Sequence, residues 1–523
     1  MAEEKFFKDK YDVIIIGGAL AGSACALQLA QKDVKNILIL EQHNLPGGIA
    51  TSFVRGDVEI EATLHEMMSI GNENQLKVGA FFKEMGVDID WIRVPEAYRF
   101  ISPDCDVVVH AGTHGDFETP AKEIASAAGD KDGSLYTLVL DFLNMCHKVY
   151  QAVNYVSMNH LSKAQMLLKF PELVKTAGYS AKEVMDAYKL PKKVQDMLSA
   201  YWIYVGNKAD DLPMTIFAFL LADYLGYGSF IPKKFSHEMS VKLAEKCLEK
   251  GIQIEYGQRV EKILVENGRV KGVKTATGHE IKSDYVVSGA YPNTVYSRMI
   301  EPENEVPAEA VKLANARSIG LTCFSVVLLL DQSPEELGIK DYSTFYAPKG
   351  MNFDEIWKEE ETTGPYNYIT SICTNIANPD CTPKGTCIYS ITALPRYNGW
   401  EKELTEENYE ELKQMNARYF IEMESKRLGV NLFDHIKEVV IEAPATISHY
   451  TGAFHGSIYG YMHTMDDNIV ARLGMNEEEH YIHGLGFAGA HQISGDGMGP
   501  AITNGRKGAK EILTYMAEDK EGK

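Results

Sequence analysis

The sequence predicts an α/β fold, and its first forty residues carry that prediction. Val13–Ile16 is an apolar run typical of a buried parallel strand, and Ile37–Leu40 is a second one. Between them, the glycine-rich turn GGALAG at 17–22 leads into a predicted helix of small residues at 23–31. Glu41 closes the second strand, 24 residues after Gly17. Strand, glycine turn, helix, strand and acid follow one another as they do in a unit that binds a dinucleotide.

Each part of this unit has a physical role in binding. The glycines allow a tight turn and a close approach to a pyrophosphate, the helix N-terminus faces the phosphate charge, and the acid binds ribose hydroxyls. Ala19 stands where a middle glycine is usual, so its methyl group must be accommodated beside the phosphates. A purely structural turn is the alternative. The cofactor-binding residues predicted here are Gly17, Gly18, Ala19, Ala21, Gly22, Glu41 and Gln42.

A second glycine motif, PGGIATSF at 46–53, follows the ribose acid and continues to His65 and Gly71. A glycine pair at this point lets the loop lie flat against a flavin, where a Cβ would intrude. The pattern resembles the FAD-containing phytoene desaturase, carotenoid isomerase and retinol saturase family, within the amine-oxidase-like flavoproteins. Ile49 and the segment Glu61-Ala62-Thr63 depart from that family's pattern. The cofactor-binding residues predicted in this stretch are Gly47, Gly48 and Thr51.

The resemblance extends to the C-terminus. GLGFAGAH at 484–491 and GDGMGPA at 495–501 are similar to the family's closing motif, a strand and glycine turn before a helix that faces the flavin ring. Pro500 suits the first helical turn, and the positive end of that helix would stabilise charge on a reduced ring. By resemblance, Val260 lies against the adenine end of FAD. The ring contacts predicted here are Gly489, Met498, Gly499, Pro500 and Ala501.

The order of the motifs predicts a Rossmann-type FAD-binding domain interleaved with two other parts. The FAD-binding domain takes residues 1–135, 245–300 and 470–523, and a helical insert takes 136–244. An antiparallel-sheet substrate domain of α+β character takes 301–469. The apolar stretch 215–225 in the insert is interpreted either as the wall of a tunnel for a long apolar substrate or as ordinary helical core. A ligand site is expected where the parts meet.

The resemblance implies an FAD-dependent oxidoreductase acting on an unsaturated apolar substrate, namely a carotenoid, retinoid or polyunsaturated lipid. Desaturation, saturation and double-bond isomerisation all remain open, and each needs a proton donor or acceptor. The candidates are His65 and Glu66 after the glycine-pair loop, then His491 and Asp496, then Tyr459, and each is also compatible with a structural role. Two alternatives are a flavin amine oxidase with an aromatic cage, and a non-enzymatic lipid-binding protein similar to Rab GDP-dissociation inhibitors. The cage would use Tyr450, Tyr459 and Tyr461.

Composition fits a large enzyme and excludes several partners. The chain has 523 residues, is 45% hydrophobic and carries a formal charge of −21, which argues against nucleic acid and against electrostatic docking on an anionic bilayer. Its eight cysteines lack paired CxxC spacing, so no metal site and reduced thiols are expected. With no signal core and no long apolar run, we expect a cytoplasmic protein with at most peripheral membrane contact. An electron donor or acceptor partner and the oligomeric state remain open.

Overall fold

The computed structural model describes residues 6–70, 77–156, 163–468, 472, 481–492, 495 and 497–522. The strands are β1 (Val13–Ile16), β2 (Ile37–Leu40), β3 (Ser52–Arg55), β4 (Val58–Glu61), β5 (Trp91–Arg93), β6 (Tyr98–Ser102), β7 (Cys105–Val109), β8 (Phe230–Pro232), β9 (Gln253–Glu255), β10 (Val260–Glu266), β11 (Arg269–Thr275), β12 (Glu280–Lys282), β13 (Val286–Ser288), β14 (Ile300–Glu301), β15 (Phe324–Leu330), β16 (Ser343–Tyr346), β17 (Ile369–Cys373), β18 (Cys387–Ala393), β19 (Ile436–Glu442) and β20 (Leu485–Phe487).

The α-helices are α1 (Leu20–Gln31), α2 (Lys77–Met85), α3 (Glu118–Ala127), α4 (Ser134–Val156), α5 (Lys163–Lys169), α6 (Pro171–Thr176), α7 (Ala181–Ala187), α8 (Lys192–Leu198), α9 (Met214–Tyr227), α10 (Phe235–Glu249), α11 (Pro292–Thr294), α12 (Ala308–Ala316), α13 (Phe353–Glu360), α14 (Thr374–Ala377), α15 (Tyr397–Glu403), α16 (Tyr409–Leu428), α17 (Pro444–Thr451) and α18 (Met498–Glu521). Short 3₁₀ helices cover Ser199–Tyr204, Glu303–Glu305, Leu432–His435 and Phe454–Gly456, and a π-helical turn covers Val295–Met299.

A five-stranded parallel sheet, in the order β20-β13-β1-β2-β9, joins both ends of the chain. Because successive side chains of a strand point to opposite faces, the apolar run of β1 supplies two cores at once. Val13 and Ile15 pack among helices α1, α2, α10 and α18, whereas Ile14 and Ile16 pack against the sheet β12-β11-β10-β14. The parallel sheet with covered faces confirms the predicted α/β fold class.

Helices α1 and α18 cross in close contact, and this crossing joins residues nearly 500 positions apart in sequence. A Cβ built on Gly505 would lie 2.1 Å from the carbonyl oxygen of Ala21, so only glycine fits the crossing. The same packing aligns the N-termini of both helices beside the carboxyl ends of β1 and β20. This edge of a parallel sheet is the usual place for a ligand.

A seven-stranded mixed sheet, in the order β19-β15-β18-β17-β16-β6-β7, forms the second half of the molecule. Its pairs are antiparallel except β16 with β6, which are parallel. Strands β6 and β7 fall within the 1–135 stretch assigned above to the FAD-binding domain, yet they extend the other sheet. The predicted boundary at residue 135 therefore does not separate the two sheets.

Helices α3, α4 and α6 to α9 pack around a shared apolar core, and all of them except α3 lie largely within the predicted insert. Phe142 and Val149 of α4 meet Leu221 of α9 there, and Phe345 of β16 joins the same core. Helix α10 behaves differently, because it packs against α1 and the five-stranded sheet. In the described part of the chain, no helix combines the length and the apolar character needed to cross a bilayer.

Candidate active site

A cavity of about 1860 Å³ opens between the two sheets and the helical core. It gathers nearly all of the residues singled out from the sequence, although Gly18 is not among those lining it and Asp496 lies outside the described residues. The predicted residues lining it are Gly17, Ala19, Ala21, Gly22, Glu41, Gln42, Gly47, Gly48, Thr51, His65, Glu66, Val260, Tyr459, Gly489, His491, Met498, Gly499, Pro500 and Ala501.

The N-terminus of α1 forms one end of the cavity. Gly17 turns the chain with a φ of +103°, and no side chain in the described residues caps the helix, which begins at Leu20. The first N–H groups of a helix have no partner within the helix and carry its partial positive charge. A Cβ built on Gly22 would lie 2.0 Å from the carbonyl oxygen of Gly17. The turn thus leaves room and unpaired donors for an anionic group.

Glu41 lies at the carboxyl end of β2, beside this turn. Its carboxylate accepts the N–H of Gly18 at 2.6 Å through one oxygen and the N–H of His43 at 2.8 Å through the other. These two bonds hold the buried acid in the cavity wall. Each carboxylate oxygen keeps a second lone pair, so the acid is still able to accept hydrogen bonds from hydroxyl groups.

The glycine pair lies directly across from the first turn. Gly47 has a φ of +125° and donates its N–H to the carbonyl of Gly18 at 3.2 Å. A Cβ on Gly48 would lie 3.2 Å from the Cβ of Ala19, so the methyl group of Ala19 fits because Gly48 has none. This contact explains how the unusual alanine is accommodated.

The N-terminus of α18 faces the same cavity. Gly497 precedes it with a φ of +94°, and again no described side chain caps the helix. Asn504 donates to the carbonyl of Gly489 at 2.8 Å and ties the helix to the turn after β20. Two uncapped helix N-termini and a cradle that any Cβ would fill suit a long ligand with negative charge at more than one place.

Most of the chain matches a known protein family. A family model described as flavin containing amine oxidoreductase matches residues 20–513. The chain belongs to this family. It is an FAD-dependent oxidoreductase, which confirms the predicted cofactor and enzyme class, and the cradle above fits that cofactor.

Individual relatives of this flavin-containing oxidoreductase are distant. It is 23% identical to the chloroplastic prolycopene isomerase of Arabidopsis thaliana, over 98% of this chain and 84% of that one. It is 24% identical to all-trans-retinol 13,14-reductase of Homo sapiens, over 87% of this chain and 78% of that one. Cyclohexylamine oxidase from Brevibacterium oxydans shares its fold, with a TM-score of 0.59 at 13% identity over 97% of this chain and all of that one.

His65 and Glu66 lie on the loop that leads away from β4. Glu66 is buried, accepts the hydroxyl of Ser229 at 2.8 Å through Oε2, and has no described partner at Oε1. Burial raises the pKa of Glu66 to about 8, so this carboxyl is protonated at neutral pH. Burial lowers the pKa of His65 to about 4, so the imidazole is neutral. The two neighbours therefore form a proton donor and a proton acceptor at pH 7.

The imidazole of His65 and the carboxyl of Glu66 lie among aromatic side chains. The ring of Tyr204 lies 6.0 Å from that of His65, and the Tyr204 hydroxyl is buried without a hydrogen-bond partner among the described residues. Tyr342 donates its hydroxyl to the carbonyl of His65 and so ties down the backbone. A buried polar atom without a partner needs an explanation, and in the cavity wall a bound ligand would supply the missing hydrogen bond.

The remaining candidates have different surroundings. Tyr459 donates its hydroxyl to the carbonyl of Ile203 at 2.9 Å. His491 is buried, its ring lies 5.4 Å from that of Tyr291, and its Nε2 has no described partner. Burial lowers the pKa of His491 to about 3, which keeps it neutral. Their catalytic roles stay predictions.

The sequence interpretation missed Glu442. This residue ends β19 beside Ser325 of β15, lines the cavity, and is buried with no described partner at Oε2. Burial and, to a smaller extent, the nearby Glu61 carboxyl raise its pKa to about 8. In sequence, Glu442 is one acid at the end of a strand that also carries Glu438. Only the register of β19 against β15 reveals its position.

Proposed function

We propose that the protein acts on the C–C or C=C bonds of an unsaturated apolar substrate, such as a carotenoid, retinoid or polyunsaturated lipid. The size and lining of the cavity carry this proposal. At about 1860 Å³ it exceeds the about 300–1,000 Å³ of a site for one small ligand. One wall of the cavity away from the glycine turns is apolar, with Val153 of α4 and Ile216, Phe219 and Leu220 of α9. The names of the two sequence relatives above, an isomerase and a reductase of polyenes, agree with this class.

In this proposal the glycine end holds the cofactor. The N-terminus of α1 with Gly17 and Gly22 receives the pyrophosphate, Glu41 receives ribose hydroxyls, and the N-terminus of α18 faces the flavin ring. When bound, FAD supplies the hydride chemistry at carbon. The residues of the chain orient it and exclude water from the reacting carbons.

Glu66 and His65 supply the proton chemistry. In saturation, one carbon takes a hydride and its neighbour takes the Glu66 proton, which is later replaced from solvent. In isomerisation, Glu66 protonates one carbon and His65 removes a proton from another, so no net oxidation occurs. Desaturation needs only the proton acceptor, His65. A protonated acid beside a neutral base thus favours saturation or isomerisation, with Glu66 as the donor.

Amine oxidation has weaker support. The aromatic cage it needs would use Tyr450, Tyr459 and Tyr461, but the buried Tyr461 donates its hydroxyl to Asn293 at 2.6 Å and is not among the residues lining the cavity. Tyr450 is 59% exposed. These three side chains therefore do not surround one substrate position.

We also propose a cytoplasmic protein with at most peripheral membrane contact. Its electrons pass through the substrate, a small acceptor or donor, or a partner protein, because the sequence offers one dinucleotide unit. All eight cysteines are free, in agreement with a reducing compartment.

An anaerobic assay tests the proposed reaction. The flavin-loaded protein, with its flavin oxidised in one set of samples and chemically reduced in another, is incubated with polyenes, unsaturated fatty acids and amines, while flavin absorbance and product mass are followed. We expect a polyene or unsaturated lipid to change in mass by two hydrogens, or in double-bond geometry alone. His65→Gln then separates the routes, since it should slow isomerisation about a hundredfold and saturation far less. Bleaching by amines alone would overturn the proposal in favour of amine oxidation.

A further inference from the structure

A patch of exposed apolar side chains covers helices α5 and α6 and the last turn of α4. Of the thirteen large apolar side chains that are exposed in the described chain, five lie here, and Leu168 is the most exposed at 85%. Soluble proteins seldom leave a contiguous apolar surface uncovered without a binding function. This α5–α6 patch consists of Tyr155, Leu167, Leu168, Val174 and Tyr179.

The patch is basic, although the protein as a whole is acidic. Helices α5 and α6, residues 163–176, contain three lysines and a single acid, Glu172, in a chain with a net charge of −21. Lys148 lies 3.7 Å from Glu172, whereas Lys169 and Lys175 make no ion pair with a described residue. The Lys169 ammonium lies 3.4 Å from the ring centre of Tyr155. Acidic groups more than about 8 Å away are screened at physiological salt. A membrane surface against the patch would therefore experience mainly the positive charge of the nearby lysines.

The patch lies outside the apolar wall of the cavity. Val153 of α4 lines the cavity and precedes Tyr155 by two residues. Helix α6 packs on α4 and on α9, the helix that supplies Ile216 and Phe219 to the same wall. Leu173 of α6 is buried in one core with Val153. A single layer of helices therefore separates the patch from the proposed substrate end.

We propose that the α5–α6 patch docks on a lipid bilayer that contains anionic headgroups. Its leucines and tyrosines enter the boundary between headgroups and acyl chains, while Lys169 and Lys175 remain among the headgroups. The charge complementarity selects an anionic membrane as the occupant. This inference rests on the proposed apolar substrate, because such a molecule dissolves in the bilayer and would enter from it.

Vesicle co-sedimentation of the full-length, flavin-loaded protein tests the inference. Vesicles of phosphatidylcholine with and without phosphatidylglycerol are compared, so that the anionic contribution is isolated. We expect binding to the mixed vesicles that weakens at high salt. Leu167→Asp with Leu168→Asp should lower the partition coefficient about tenfold or more. Lys169→Glu with Lys175→Glu should lower it about fivefold per lysine, and only with anionic lipid.

Matched controls use α10, which packs against α1 and the five-stranded sheet. Leu248 is 58% exposed and Lys250 follows that helix, so Leu248→Asp with Lys250→Glu should bind vesicles as the wild type does. If the wild type stays in the supernatant with both vesicles, or the patch variants bind as it does, the inference is wrong. A change in oligomeric state in the patch variants, without vesicle binding by the wild type, would instead identify a protein interface.

The membrane inference and the proposed reaction fail separately. Turnover of a detergent-dispersed polyene does not require docking, so the patch variants should keep wild-type turnover there. Vesicle binding without turnover of any unsaturated apolar compound would support the docking surface and contradict the proposed substrate class. Polyene turnover without vesicle binding would support the proposed substrate class and contradict the docking surface.

Discussion

The two ends of the cavity are lined by different groups, backbone at one end and side chains at the other. The proposed cofactor end is lined by two uncapped helix N-termini and by glycines at which an added Cβ would be strained or crowded, so we expect backbone groups to bind the cofactor there. At the far end, side chains from distant elements meet, among them the buried carboxyls of Glu66 and Glu442. We therefore expect one end to decide whether FAD is held and the other to decide what happens to the substrate. Substitutions at the two ends should therefore separate flavin loading from turnover.

The largest effect is expected at the cofactor end, with Gly22→Ala. The added methyl group would start 2.0 Å from the Gly17 carbonyl oxygen, so the turn must open and the phosphate site is lost. We expect the ratio of flavin to protein, read from absorbance, to fall more than about tenfold, because small backbone shifts at such a site are costly. Gly178→Ala is the control, since nothing lies within 4 Å of its new Cβ. Normal flavin content in Gly22→Ala would show that the backbone at this end does not decide whether FAD is held, and the proposed distinction between the two ends would be wrong.

The next effect is expected at the far end, with Glu66→Gln. An amide keeps the shape but is unable to deliver a proton, so turnover should fall about a hundredfold or more while flavin content holds. Wild-type turnover should also decline as the pH rises through about 8, since the ionised carboxylate no longer donates. Pre-steady-state turnover and flavin absorbance, measured on the same samples, check both statements. Glu438→Gln, on the exposed face of β19, serves as a control.

The contrast between the ends also explains what the sequence predicted. The unit from β1 through Gly17 and α1 to Glu41 is short in sequence: the turn with a φ of +103° favours glycine at Gly17, and the Gly17 carbonyl oxygen excludes a Cβ at Gly22. The FAD cofactor, the family and the fold class were therefore predicted correctly. The helix N-terminus at α18 could be predicted for the same reason, since Gly497 and Pro500 mark its start.

Side chains that meet through tertiary packing gave no such signal. Glu442 reaches the cavity only because β19 pairs with β15, more than a hundred residues away. Tyr204 is one aromatic residue in a segment rich in them, and only packing brings it against His65. Strands β6 and β7 lie in the stretch predicted as FAD-binding domain, yet β6 pairs with β16, some 240 residues later, in the other sheet. Pairing between strands that are far apart in sequence leaves no local sequence pattern from which it could be predicted.

A smaller effect is expected on stability from Glu442. Its pKa in the folded protein is about 8, above the value of 4.5 for an unperturbed carboxyl, so folding binds a proton between these two values. The free energy of unfolding should consequently fall as the pH rises from about 5 to 8, by at most about 1.4 kcal/mol per pH unit for this group. Glu442→Gln should flatten the dependence of the melting temperature on pH, and Glu438→Gln should not. An unchanged slope in Glu442→Gln would show that the carboxyl is not held protonated.

The smallest effect is expected from Ala19→Gly, which restores the usual middle glycine at the cofactor end. Ala19 has a φ of −78°, a value that any residue adopts, and its methyl group already fits against Gly48. Restoring the glycine should therefore change the dissociation constant of FAD by less than about threefold, within about 0.6 kcal/mol. Glycine also adds freedom to the unfolded chain, so the unfolding free energy should fall by about 0.4–1 kcal/mol. Titration of the flavin-free protein with FAD, together with thermal melting, measures both quantities. A tenfold gain in affinity would mean that the alanine methyl group obstructs the phosphates, and that side chains, as well as backbone, tune this end.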